Sequence, residues 1–254
     1  AGDLDLSKLG GNRGSGNGTD SLMLNGHVVA GSTWPSSSWP IVIGGRPFGG
    51  GGYDLDYADE SENNYGQLWV DDGVTITVPA GTVTKFDRGN SFMIDGSLTA
   101  NGTADSQVVF TSLRDDSIGG DTAKDGSVKS PAPGDWGAIN VGTTGSINLS
   151  RARLRYASVG ISAVGEASVA LADSDVRDIG ETGVRAYGSG NPNGHPTSSP
   201  TVSVTGTTFE DNVRHAVTLT SIDRPRVSDN TFYDNGYGLV ERCLPYWAGG
   251  ACSQ

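Results

Sequence analysis

The chain has 254 residues, with 39 glycines, 11 prolines and only 18% charged residues. Its net charge of −12 excludes the cationic surface that a binder of nucleic-acid phosphates or anionic membrane needs. No stretch approaches the roughly 20 apolar residues of a membrane span. Polarity comes from Ser, Thr, Asn and Gly, which suits many short strands joined by turns.

Residues 1–20 are rich in Gly and Asn and are expected to be loosely held. SLMLNGHVVAGSTW and WPIVIGG follow, read as early coils or a cap. Trp34 and Trp39 bracket PSSS and are expected to be an exposed pair able to stack on sugar rings. From Leu68 a strand pattern follows, less regular than that of the second half. Val74, Ile76 and Val78 alternate, PAG turns the chain, and Phe92, Ile94 and Leu98 alternate again. After QVVFTS the periodicity stops for the insert LRDDSIGGDTAKDGSVKSPAPGDW, and it resumes at WGAIN.

The second half repeats. INLSRARLRYASVGI, VALADSDVRDIGETGV, VSVTGTTFEDNVRHAV and RVSDNTFYDNGYGL share three apolar columns. One column is Leu154, Val176, Phe209 and Phe232, with steps of 22, 33 and 23; the middle step holds the loop 187–200. Columns at a fixed period mark a solenoid whose repeats bury their apolar faces by stacking. The expected fold is all-β: a single-stranded right-handed parallel β-helix of about 22 residues per coil with capped ends. Its expected division is 1–64, an irregular segment with a cap or early coils; 65–240, the β-helix; and 241–254, a cap. Cys243 and Cys252 in that cap suit a small disulfide loop and an oxidising, extracellular compartment; two unpaired thiols are the alternative.

VPAGTVTKFDRGNSFMIDGSLTANGTADSQVVFTSLRDD followed by PGDWGAI resembles the bacterial secreted proteins with right-handed parallel β-helix repeats, of the pectate-lyase-like superfamily. SDVRDIGETGV, TTFEDNVRHAV and NTFYDNGYGL are similar to its coils. The resemblance, over roughly 68–240, is specific for fold and weak for function, since the fold hosts lyases, hydrolases, adhesins and surface-layer modules.

Two constellations carry chemistry. DTAKDG in the insert partly matches an acidic calcium loop: Asp121 and Asp125 take positions one and five and Gly126 position six, while Ala123 replaces a ligand and Ala132 stands where a Glu would complete an EF-hand. An EF-hand is excluded. A looser structural calcium site of Asp115, Asp116, Asp121 and Asp125 is expected, and the resemblance implies fuller versions in related proteins. The second constellation is an outer column of Asp178, Asp211 and Asp234 with Arg214 beside it. β-Helix enzymes that cleave acidic polysaccharide place a base and a cation on such a face, so Asp178, Asp211 and Arg214 are the catalytic candidates. Yet Asp and Asn also favour tight turns through bonds to their own backbone.

Two functions follow. One is a non-catalytic extracellular module for surface adhesion, spacing or carbohydrate-associated binding, calcium-stabilised, monomeric or part of a larger surface protein, with a polysaccharide or cell-surface component as partner. The other is a polysaccharide lyase or glycoside hydrolase using the outer face. The first is preferred because the coil is short and no enzyme motif is complete. A crystal-binding face would need Thr in columns; the TxT pairs at Thr75, Thr77 and Thr82, Thr84 do not recur at the repeat period, which discounts it.

Overall fold

Apolar–polar alternation broken by frequent turns produces strands of two to six residues, too short to be stable alone. The computed structural model describes residues 3–12, 15–35, 39–47, 53–54, 66–126, 128–190 and 196–242. Its strands stack into three parallel sheets of nine, eight and seven strands, beside two short antiparallel pairs. The nine-stranded sheet runs from Asp3–Leu4 to Tyr237–Arg242, the eight-stranded from Leu22–Leu24 to Thr231–Tyr233, and the seven-stranded from Ser32–Thr33 to Arg226–Ser228.

One coil shows the path. Ser146–Ser150 lies in the seven-stranded sheet, Ala152–Arg155 in the eight-stranded and Val159–Val164 in the nine-stranded, before Ser168–Ala172 returns to the first. The molecule is an all-β parallel β-helix. Its apolar columns are those of the sequence: Leu154 pairs with Val176, Val176 with Phe209 and Phe209 with Phe232. The last two rings stack 5.5 Å apart. Inward residues of all three sheets form one continuous core.

The same sheets hold described strands from both sides of the expected boundary. Gly26–Val28 pairs with Leu68–Val70, and Ile41–Ile43 pairs with the strand Val83–Phe86. Most described strands of the first 64 residues therefore belong to the same solenoid, while Arg46–Pro47 and Tyr53–Asp54 pair antiparallel with each other. Even the Gly-rich start takes part: Asp3 and Leu4 pair with His27 and Val28, and Leu6 is buried in the core. At the far end Phe232 and Leu239 face inward yet stay 37% and 46% exposed. The cap expected there, with Cys243 and Cys252, lies outside the described residues.

Two columns of left-handed backbone turn the chain between sheets. Arg151, Asp173, Gly206 and Asp229 link the seven- to the eight-stranded sheet, with φ of 47°, 50°, 60° and 60°. Tyr156, Asp178, Asp211 and Asp234 lead on to the nine-stranded sheet, with φ of 64°, 55°, 55° and 47°. Left-handed backbone is strained for most side chains, and Asp, Asn and Gly tolerate it best.

Candidate functional site

The acidic insert is docked on the outer face of the eight-stranded sheet. Val42, Lys85 and Val109 point outward from that sheet yet are only 0–2% exposed, and Lys85 reaches into the insert. The Lys85 ammonium donates to the backbone carbonyls of Asp115 (2.9 Å) and Gly120 (2.7 Å). Burial lowers the Lys85 pKa, against the pull of Asp116, Asp115 and Asp121.

Both ends of the insert are clamped by carboxylates. Asp115 is 1% exposed; it accepts from Thr111 Oγ1 at 2.7 Å, from the Ser117 hydroxyl and from Ser117 N, and Arg155 lies 3.6 Å away. Asp135 accepts from Ser112 Oγ at 2.7 Å and Ala132 N at 3.1 Å.

Asp116, Asp121 and Asp125 converge above this base, one carboxylate oxygen of each within 4.8 Å of the others. They are the only group of His, Cys, Asp and Glu with such convergence among the described residues. Asp121 organises the loop, accepting from Asp125 N (3.2 Å) and Gly126 N (3.0 Å), and Gly126 takes a φ of 74°. Lys124 turns away at φ 54° and pairs with Asp20 at 3.0 Å. Asp115 of the expected metal set stands outside this group, and both its carboxylate oxygens accept hydrogen bonds at the insert's base. The other three are hard oxygen donors suited to calcium, fewer than the six to eight it takes, leaving room for water.

The outer column Asp178–Asp211–Asp234 is the second left-handed turn column. Its equivalent one coil earlier is Tyr156. Asp178 N donates to Glu210 O and Asp211 N to Tyr233 O, so both residues continue the ladder between coils. Asp178 has its pKa raised by burial and by Asp211, while Arg155 opposes the shift. Arg155 lies 3.7 Å from Asp178 and donates to Tyr156 OH at 3.0 Å. Arg177 forks onto Asp175 and reaches Glu210 at 3.1 Å. Arg214 is exposed, and Arg155 is the arginine that pairs with Asp178.

Behind this column stands an asparagine ladder that sequence reasoning missed. Asn212, fully buried, donates to Val176 O (3.1 Å) and Asn235 Oδ1 (2.7 Å), while its Oδ1 accepts from Ile179 N (3.2 Å). Asn235 donates to Phe209 O, and Asn230 makes the matching bond to Val204 O. The signal was the recurring Asp-Asn pair at 211–212, 229–230 and 234–235: Asp supplies the left-handed turn and Asn the inward amide.

The tryptophan expectation is corrected. Trp34 is 1% exposed and packs against Phe92 at 5.6 Å, filling the interior of an early coil. Trp39 alone of the pair is partly open, lining a shallow cleft with Pro35, Pro79 and Val83. Trp136 stacks on Phe86 at 4.0 Å and donates from Nε1 to Arg155 O, sealing the coil where the insert rejoins. No described helix is long and apolar enough to cross a membrane. Comparison with known proteins gave no match to a family model, a curated protein or a solved structure.

Proposed function

We propose that the chain is a non-catalytic, calcium-stabilised β-helix module of an extracellular protein, serving as a stiff adhesive or spacing element. One observation carries this reading: the carboxylates nominated for catalysis occupy left-handed turn positions repeated from coil to coil. Their neighbours Arg155 and Arg177 are already engaged in ion pairs. A lyase or hydrolase needs a base free to reach a substrate proton, beside a group that stabilises the developing charge. The resemblance to secreted β-helix proteins supports an extracellular setting, and the net charge of −12 suits cations as partners.

In this reading Asp116, Asp121 and Asp125 would hold the ion, which supplies charge neutralisation to the insert and takes no part in chemistry. The affinity expected is that of extracellular calcium modules, on the order of 10⁻⁴–10⁻³ M. Incubation with pectate, alginate, xylan and chitin, with assay of new reducing ends and unsaturated products, tests the non-catalytic claim. No turnover is expected. Cleavage abolished by Asp211→Asn with unchanged melting would establish the enzyme instead.

A further inference from the structure

The outer face of the seven-stranded sheet is chemically unlike the rest of this acidic chain. On its five central strands, Thr75–Val78, Ser97–Asn101, Ser146–Ser150, Ser168–Ala172 and Thr201–Thr205, the inward residues are apolar and buried. Every outward residue is Thr, Ser, Asn or Ala; none is charged or aromatic. One outward column reads Thr75, Ser97, Ser146, Ser168 and Thr201. The column beside it begins with Thr77 and passes through Asn148 to Ser203. Thr84, by contrast, points inward and is buried, so the TxT pairs of the sequence do not all belong to one face. The columns continue as Ser and Asn where a search for Thr alone finds a gap.

The array is regular. Strands lie about 4.8 Å apart and alternate residues about 6.6 Å apart, so five strands and three columns give a face of roughly 19 by 13 Å. It is also stiffened: Ser146 donates to Ser97 Oγ at 2.9 Å and Ser150 to Asn101 Oδ1 at 3.0 Å, while its Thr residues are β-branched and restricted at χ1. Charge is kept to the border, where Arg151 and Asp173 pair at 3.4 Å in the turn column, and to Arg226 on the last strand.

We propose that this face docks on the ordered surface of an insoluble, neutral polysaccharide. Charge complementarity selects the class: a chain of net charge −12 that presents an uncharged face fits a neutral partner, and a uronate polymer would call for Lys and Arg. Hydroxyl and amide groups both donate and accept, as sugar hydroxyls do. Hydrogen bonds exchanged with water are individually weak, so many must form together at small entropic loss. Rigid face on rigid lattice meets that condition; a soluble chain, which must be ordered on binding, does not. The inference rests on the non-catalytic reading of the chain.

Retention on microcrystalline cellulose and chitin powders tests it, with a crosslinked polygalacturonate and ice as comparators. Thr77→Lys and Asn148→Lys place a charge at two exposed positions of the face; Asn148→Ser keeps its chemistry, and Thr231→Lys alters the eight-stranded sheet instead. Wild type, Asn148→Ser and Thr231→Lys are expected to be retained on a neutral powder, with at least tenfold weaker retention of each face lysine variant at unchanged melting temperature. Failure of wild type to bind either powder, equal retention of the face variants, or preference for the polyanion or ice overturns the proposal. Reducing ends released in the same tubes would overturn the non-catalytic reading separately, whatever the retention shows.

Discussion

Asp211 takes a φ of 55°, a turn geometry whose energetics substitution can read. Left-handed backbone costs an ordinary L-residue roughly 1–2 kcal/mol, and Gly nothing comparable. Asp211→Ala is therefore expected to lower stability by about 1 kcal/mol while Asp211→Gly and Asp211→Asn do not, measured by urea unfolding. Equal loss in all three would refute the turn assignment. Asn212→Ala strips donors from Val176 O and an acceptor from Ile179 N inside the coil. Orphaned buried groups cost about 1–3 kcal/mol each, so this change should destabilise more than any turn substitution, by roughly 2–4 kcal/mol. Asp178 titrates above its ordinary range because burial and Asp211 disfavour its charge. A pKa raised on folding adds stability below the unfolded value and loses it as pH rises through the folded value. Asp178→Asn, which cannot ionise and tolerates the turn, should therefore gain on wild type as pH rises from acid to neutral. A stability difference that does not vary with pH would contradict the assignment.

Among the elements, the insert departs most from what its sequence suggested. Its Asp, Gly and Pro content reads as a solvated loop, and DTAKDG as an incomplete calcium loop. Nothing local announces that Lys85, 30 residues earlier than Asp115, lies buried beneath it; that contact depends on which sheet face the insert covers. The two ends were equally hidden. Asp115 looks like a free ligand in the sequence, and Thr111 and Ser117 engage it in the structure, as Ser112 and Ala132 engage Asp135. Lys85→Met removes the donor for two carbonyls, and each orphan costs about 1–3 kcal/mol where buried. Limited proteolysis should cut this variant faster within 116–126 while the strands resist. Unchanged cleavage would mean that the insert is held by its clamped ends alone.

For the whole molecule, apolar columns at a fixed step made the solenoid legible, because parallel strands in register must repeat their inward residues. Phe209 over Phe232 follows from spacing alone. The early coils were blurred because only the short segments Leu22–Leu24, Gly26–Val28 and Ile41–Ile43 carry the pattern there, each paired with a partner distant in the chain. Trp34 was misjudged because a PSSS loop looks exposed when the coil that closes over its flank is unknown. Outward faces were read least well, since Ser, Thr, Asn and Ala interchange there without disturbing the core.

The central claim is a cation-stabilised module rather than a catalytic one, and thermal unfolding with calcium and then with a chelator tests it most directly. At about 100 times the dissociation constant, an ion that binds only the folded state adds about 2.7 kcal/mol. At about ten times that constant it adds about 1.4 kcal/mol. For a chain of this size each kcal/mol moves the midpoint by roughly 2–4 °C, so a rise of about 3–10 °C in 10 mM calcium is expected, reversed by chelation. Asp121→Ala and Asp125→Ala should abolish it and Asp178→Asn should not. A midpoint indifferent to calcium, or a calcium response that survives both insert variants, would contradict the account.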